Sequence, residues 1–67
     1  MRQVAQNIKK YRKAKQLSQN ALAEILNISR EHLAKVETAK SFASLQLIFR
    51  IAHELGIETK LLFEFQY

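Results

Sequence analysis

The chain lacks the residues that most often cross-link or interrupt small folds. Its 67 residues include no cysteine, no proline and a single glycine. Without cysteine, neither a disulfide nor a thiolate metal site can stabilise so small a domain. Proline and glycine disfavour helices most, so almost the whole sequence permits them. The composition predicts one all-α domain over residues 1–67, stabilised by dense helix packing and self-association.

Membrane segments are missing as well. No apolar run approaches the roughly 20 residues of a membrane span, and the N-terminus lacks the apolar core of a signal peptide. Residues 2–16 form a basic amphipathic stretch, but its apolar side lacks the Trp, Phe and Leu of membrane-surface helices. We expect a cytoplasmic protein with no membrane partner.

Residue types needed for catalysis are scarce. The chain contains no aspartate, and its six acidic residues are scattered glutamates. His32 and His53 lie on different predicted helices and do not form an H-E-x-x-H motif. No nucleophile stands beside a base, and no glycine-rich loop is present to bind phosphate. The sequence predicts no enzyme, no metal and no cofactor.

The positive charge is concentrated in the first forty residues. They hold nine basic and three acidic residues, a balance of +6, whereas residues 41–67 balance at −1. A basic half suits a polyanion such as double-stranded DNA, although a solvated basic surface that serves solubility would look the same.

Residues 18–37, SQNALAEILNISREHLAKVE, have the pattern of two short helices joined by a tight turn. Ser18 and Ser29 precede the two helices, where a serine oxygen accepts a hydrogen bond from an unpaired first-turn N–H. Asn27 lies between the helices and tolerates a left-handed backbone. This helix-turn-helix geometry lets one helix enter a DNA groove.

Apolar spacing predicts which side of each helix is buried. In the first helix the stripe consists of Leu22, Ile25 and Leu26. In the second helix, Leu33 and Val36 are predicted to point inward. The opposite side of that helix is then exposed and can contact a DNA duplex.

The flanking segments predict three more helices. A first helix over about residues 3–14 places Val4, Ile8 and Tyr11 on one stripe. The polar loop 38–43 carries Phe42 as a plug into the core. Ser44 caps a central helix whose wide apolar arc packs on more than one side and ends at Gly56. Thr59 is a candidate cap for a short fifth helix.

Residues 63–67, FEFQY, alternate aromatic and polar side chains, as a strand does. We interpret Phe63, Phe65 and Tyr67 as a dimer contact. In one version of this contact, the segment is a short strand that pairs with the same strand of the second copy. The alternative is that these rings fold back onto the core of their own chain.

The 18–37 motif, together with IKKYRKAKQLSQ before it and ETAKSFASL and IAHELGIETKLLF after it, resembles the Xre/Cro family of phage and bacterial repressors. The resemblance covers roughly residues 4–63 and implies a compact five-helix domain like that of lambda repressor. The chain departs from the family at Asn27 and Ala39, where glycine is usual, and at Ala43, where proline is usual.

The resemblance also implies roles for individual residues. Arg30, Glu31 and Lys35 are the candidates for reading bases, since Arg and Lys donate to guanine and Glu accepts from cytosine. For Glu31, an ion pair with Lys35 is the simpler alternative. The resemblance implies that Gln19, Thr38 and Lys40 contact the DNA backbone. Asn20 and His32 are further candidates for such contacts, and solvent exposure is the alternative for His32. Similarity to the family pairs Arg12 with Glu37 as a structural ion pair.

These expectations together predict a homodimeric, sequence-specific regulator of transcription that acts on a near-palindromic operator. We expect a repressor. An antitoxin of a toxin–antitoxin pair or a controller protein of a restriction–modification system shares the fold and is the alternative. A protein partner, either a toxin or polymerase, stays open.

Overall fold

The computed structural model describes residues 2–64, which form four α-helices and one short 3-10 helix. The helices are α1 (Arg2–Ala14), α2 (Gln19–Leu26), α3 (Arg30–Glu37) and α4 (Leu45–Leu55), and the 3-10 helix is Thr59–Phe63. The predicted all-α class is confirmed. No strand occurs within residues 2–64. Phe65 and Tyr67, on which the predicted terminal strand depends, lie outside the described residues.

The prediction of five α-helices was wrong in its last member. Residues 59–63 form a 3-10 helix, and Thr59 is its first residue rather than its cap. The preceding Glu58 holds the cap position without a side-chain hydrogen bond. A five-residue segment closes too few i→i−4 bonds to offset the cost of starting an α-helix, so the tighter 3-10 turn is favoured.

The three predicted serine caps are confirmed. The oxygens of Ser18, Ser29 and Ser44 each accept a hydrogen bond at 3.0 Å from a backbone N–H in the first turn of α2, α3 and α4. Each serine has an extended backbone, as a residue at the start of a helix requires. Such a cap contributes typically about 1 kcal/mol to a helix.

Every α-helix ends in the same left-handed motif. One residue after α2 and α4, and two residues after α1 and α3, the backbone has a positive φ. The next N–H bonds back to a carbonyl five residues earlier. The left-handed residues are Gln16, Asn27, Ala39 and Gly56, with φ of 60°, 59°, 60° and 68°. The backbone predicted for Asn27 is therefore confirmed. Ala39 adopts the conformation that favours glycine, at a cost of roughly 1–2 kcal/mol for its Cβ.

The core lies where α1, α2, α3, α4 and the 3-10 helix meet. Its fully buried side chains come from every element: Ile8, Leu22, Leu26, Leu33, Val36, Ile51, Leu55 and Leu62. α3 packs against α2 and α1, whereas α4 packs against α2, α1 and the 3-10 helix. This arrangement leaves the outer side of α3 open.

Four apolar side chains that the sequence placed in the core are instead exposed. Phe42 is 83% exposed and does not plug the core, and Ile25 on α2 is 46% exposed. Leu45 and Phe49, which belong to the wide apolar arc predicted for the central helix, are 58% and 51% exposed on α4. α4 therefore packs on one side only, because no element of residues 2–64 covers the Leu45–Phe49 stripe.

A buried amide joins the two ends of the fold. Asn7 on α1 donates from Nδ2 to the carbonyl oxygens of Leu62 and Glu64, at 3.0 and 2.8 Å. Its Oδ1 accepts from Gln3 Nε2 at 3.3 Å. Asn7 thus fixes the end of the 3-10 helix against α1.

No helix in the described part of the chain has both the length and the apolar character needed to cross a membrane.

Candidate nucleic-acid interface

The outer side of α3 carries the three predicted base-reading residues. Leu33 and Val36 are fully buried, as predicted. Arg30, Glu31 and Lys35 are all exposed. Helical spacing places Glu31 and Lys35 opposite the buried side, and Arg30 stands beside them in the first turn. An α-helix with its side chains is roughly 10–12 Å in diameter, which fits the width of about 12 Å of the DNA major groove. The helix therefore has the size and exposed polar surface needed to enter that groove.

The charged groups on this side are not paired with one another. Among the described residues, side-chain ion pairs form between Arg12 and Glu37 and between Lys60 and Glu58. The alternative in which Glu31 pairs with Lys35 is therefore not observed. Both side chains are available to a partner.

The first turn of α2 is hydrogen-bonded to the last residue of α3. Gln19 is half-buried, and its Nε2 donates to Glu37 Oε1 at 3.1 Å. Asn20 is exposed and lines an open depression with Arg30, Glu24 and Asn27. Asn20 and Arg30 therefore border the same depression, whereas Gln19 is turned toward the end of α3.

The segment after α3 has little backbone left to offer a phosphate. The N–H groups of residues 38–41 all bond to carbonyls within the last turns of α3. The Thr38 hydroxyl also donates inward, to the Ala34 oxygen at 2.9 Å. Thr38 would have to rotate its hydroxyl to donate to DNA, whereas the exposed Lys40 side chain is available as it stands. His32 is half-buried near the first turn of α3.

The Arg12–Glu37 pair is buried and bidentate. Arg12 Nε donates to Glu37 Oε2 at 2.7 Å and Nη2 donates to Oε1 at 3.0 Å. The two side chains are 8% and 1% exposed. Arg12 Nη1 also donates to the Leu17 carbonyl oxygen at 2.7 Å. The pair therefore joins α1, the approach to α2 and the end of α3.

One basic residue near this surface was not singled out from the sequence. Arg2 and Gln6 line a small depression with Thr38 and Ala39. The depression lies between the start of α1 and the end of α3. Arg2 and Thr38 are 36 residues apart in sequence, so no local pattern reveals that they share it. Lys9, Lys13 and Lys15 are exposed along α1 and just after it.

No group of three His or Glu side chains within residues 2–64 is arranged to hold a metal ion.

Comparison with known proteins assigns this architecture to a family. A helix-turn-helix family model matches residues 8–62. The crystal structure of the restriction-modification controller protein C.AhdI from Aeromonas hydrophila matches with a TM-score of 0.87 and 34% sequence identity, over 92% of this chain and 94% of that one. A comparison with curated protein sequences gives no match. The chain belongs to the Xre/Cro-type helix-turn-helix family of DNA-binding transcription regulators.

Proposed function

We propose that the protein acts in the cytoplasm as a homodimer that binds a near-palindromic DNA operator and thereby regulates transcription. The observation that carries this proposal is the two-sided character of α3. Leu33 and Val36 are buried, and Arg30, Glu31 and Lys35 face outward. A chain with one helix-turn-helix reads one half-site, so a palindrome with half-sites about 10 base pairs apart requires two chains.

Roles on the DNA follow from the position of each side chain. Arg30 stands in the first turn of α3, where such helices meet base edges, and its guanidinium matches guanine O6 and N7. Lys35 and Glu31 are the further base-reading candidates. Gln19, Asn20, Thr38 and Lys40 flank α3, and they would contact phosphates together with His32 on α3. Arg2 beside Thr38 adds a cation to that flank.

Exposed apolar surface supports self-association through the second half of the chain. Leu45 and Phe49, four residues apart on α4, form one stripe, and Phe42 lies in the loop before them. From their exposures, these side chains offer roughly 400 Å² of apolar surface, about half of what one partner contributes to a standard interface. The near-neutral charge of residues 41–67 allows two copies to approach, whereas the +6 half would repel itself. Phe63, at 39% exposed, is the described part of the aromatic contact proposed with Phe65 and Tyr67.

Sedimentation at micromolar concentration tests the dimer. Phe49→Lys should shift the protein toward monomer, because a charge replaces apolar interface. Ile25→Lys is the matched control, since Ile25 is exposed to a similar extent on α2. Truncation after Phe63 tests the tail separately. If Phe49→Lys and the truncated chain both sediment like the original, the proposed dimer surface is wrong.

Among regulator types, the similarity to a controller protein favours a controller of a restriction–modification system over an antitoxin. The two chains match over nearly their full lengths, so the similarity includes α4 and the 3-10 helix as well as the motif. A controller regulates transcription, and blocking or recruiting polymerase are both compatible with these residues. Restriction and methylation genes beside the coding sequence would support this class, and co-purification with a neighbouring toxin would contradict it.

Selection from a random duplex pool tests the proposed function as a whole. We expect a near-palindrome, bound with an affinity that falls steeply as salt rises, because each lysine or arginine on a phosphate releases a counterion. Fluorescence anisotropy on the selected duplex and on a scrambled one measures the preference. Equal affinity for both duplexes would refute sequence-specific binding.

A further inference from the structure

The buried pair Arg12–Glu37 contacts the start of α2 as well as α1 and α3. Glu37 Oε1 accepts hydrogen bonds from Arg12 Nη2 and from Gln19 Nε2, at 3.0 and 3.1 Å. Arg12 Nη1 holds the Leu17 carbonyl, one residue before the Ser18 cap. The ion pair is therefore hydrogen-bonded to the residues on both sides of the Ser18 cap, Leu17 and Gln19.

The carboxylate fixes which way the Gln19 amide is turned. An ionised carboxylate only accepts hydrogen bonds, so the amide must present its NH₂ group and not its oxygen to Glu37. One of the two amide N–H bonds is then occupied, and the second is left to donate elsewhere. The side chain is half-buried, so that remaining donor is within reach of solvent or a ligand.

The backbone next to this amide has unpaired donors of its own. The N–H groups of Gln19 and Asn20 are the first two of α2 and have no partner within the helix. Ser18 accepts the N–H of Ala21 with its side-chain oxygen and that of Leu22 with its carbonyl. An anion at this point would receive two backbone donors, the helix dipole and the second amide N–H of Gln19.

We infer that Glu37 is a positioning residue for DNA binding, which holds the Gln19 amide so that its free N–H is directed at a backbone phosphate before DNA arrives. The inference rests on the proposed function, in which Gln19 contacts a phosphate. Arg12 makes the arrangement compatible with a polyanion, since it neutralises the buried carboxylate through two hydrogen bonds. Prior orientation lowers the entropy lost when the contact forms.

Two matched double variants separate positioning from stability. Both R12M/E37Q and R12M/E37L remove the ion pair and the bond to Leu17. Only R12M/E37Q keeps an oxygen at residue 37 that can accept from Gln19. Gln19→Ala is then introduced into the unaltered protein and into each double variant, and Kd is measured on the selected duplex.

We expect Gln19→Ala to weaken binding roughly tenfold in the unaltered protein and in R12M/E37Q, as loss of a hydrogen bond to a charged group does. In R12M/E37L the same change should cost less than about twofold, because the amide is no longer held. A neutral methylphosphonate at the contacted phosphate should reproduce this pattern. Losses that are equal in both double variants would overturn the inference, since a merely structural pair would not couple to Gln19.

NMR on the unaltered protein provides a second measurement, which does not depend on whether any variant folds. The Gln19 side-chain NH₂ in the free protein should be nearly as ordered as the backbone, with an order parameter of about 0.85. An order parameter below about 0.6, typical of a flexible group, would overturn the inference.

If Gln19→Ala, introduced alone, leaves Kd unchanged, Glu37 positions nothing for DNA, although Arg30 can still read bases. If the unaltered protein does not prefer its selected duplex over a scrambled one, the proposed function itself fails.

Discussion

Removing one partner of the Arg12–Glu37 pair should destabilise the fold far more than removing both. Glu37 is 1% exposed and accepts three hydrogen bonds, two of them from Arg12. Arg12→Met leaves a buried carboxylate with only the Gln19 amide as donor, and Glu37→Leu leaves a buried guanidinium facing leucine. Stranding one charge of a buried pair costs about 3–5 kcal/mol.

That loss is large for a chain of this size. A 67-residue domain has a free energy of unfolding of roughly 3–10 kcal/mol, and each kcal/mol shifts its Tm by about 4–8 °C. Each single variant should therefore melt at least about 12 °C lower than the original. The double variant R12M/E37L removes both charges together and should lose only about 1–2 kcal/mol, mainly because the Leu17 carbonyl loses its donor.

Circular dichroism melts and urea titrations of the four proteins measure this double-mutant cycle. The expected coupling between the two sites is several kcal/mol, with the double variant more stable than either single variant. Two results would refute the reasoning. The first is that the losses of unfolding free energy in the two single variants add up to the loss in the double variant. The second is that the single variants have the same Tm as the original protein, which is the result expected for an exposed ion pair that contributes little to stability.

Three further changes test the binding surface, the left-handed turn and the buried amide. Arg30→Ala should relax specificity at one position per half-site at a cost of about 1–3 kcal/mol, measured by binding to duplexes with single base changes. A uniform loss over all sequences would make Arg30 a phosphate contact instead. Ala39→Gly should stabilise the fold by about 1 kcal/mol in urea titrations, because φ is 60° there. Asn7→Leu should cost roughly 2–4 kcal/mol, because two carbonyls at the end of the 3-10 helix lose their donor, and a loss below 1 kcal/mol would contradict that role.

The motif was predictable because its determinants are local. A serine before an apolar stripe specifies where a helix begins, and Ser18, Ser29 and Ser44 each do so. Asn27 marks the turn because few other residues with a side chain tolerate a left-handed backbone. Leu33 and Val36 point inward because helical spacing places them on one side. Each rule needs only a few neighbouring residues.

What the sequence did not reveal depends on long-range neighbours. Spacing shows that Leu45 and Phe49 share a side of α4, but not that residues 2–64 provide nothing to cover it. Phe42 follows the same logic, since an aromatic residue in a loop is buried only where a gap exists to receive it. The bond from Gln19 to Glu37 spans 18 residues and those from Asn7 span 55 and 57. No local period encodes such distances.

The buried polar groups explain how so small a domain holds α3 in a defined orientation. The apolar contacts of Leu33 and Val36 resist separation of α3 from the core but permit small slides, because apolar contacts are not directional. Glu37, at the last turn of α3, adds directional bonds to α1 and to the start of α2. A shift of α3 relative to α2 would break the charge-assisted hydrogen bond from Gln19 to the buried Glu37 carboxylate. The same bonds that make the pair costly to disrupt therefore hold the groups proposed for bases, on α3, in register with the group proposed for a phosphate, on α2.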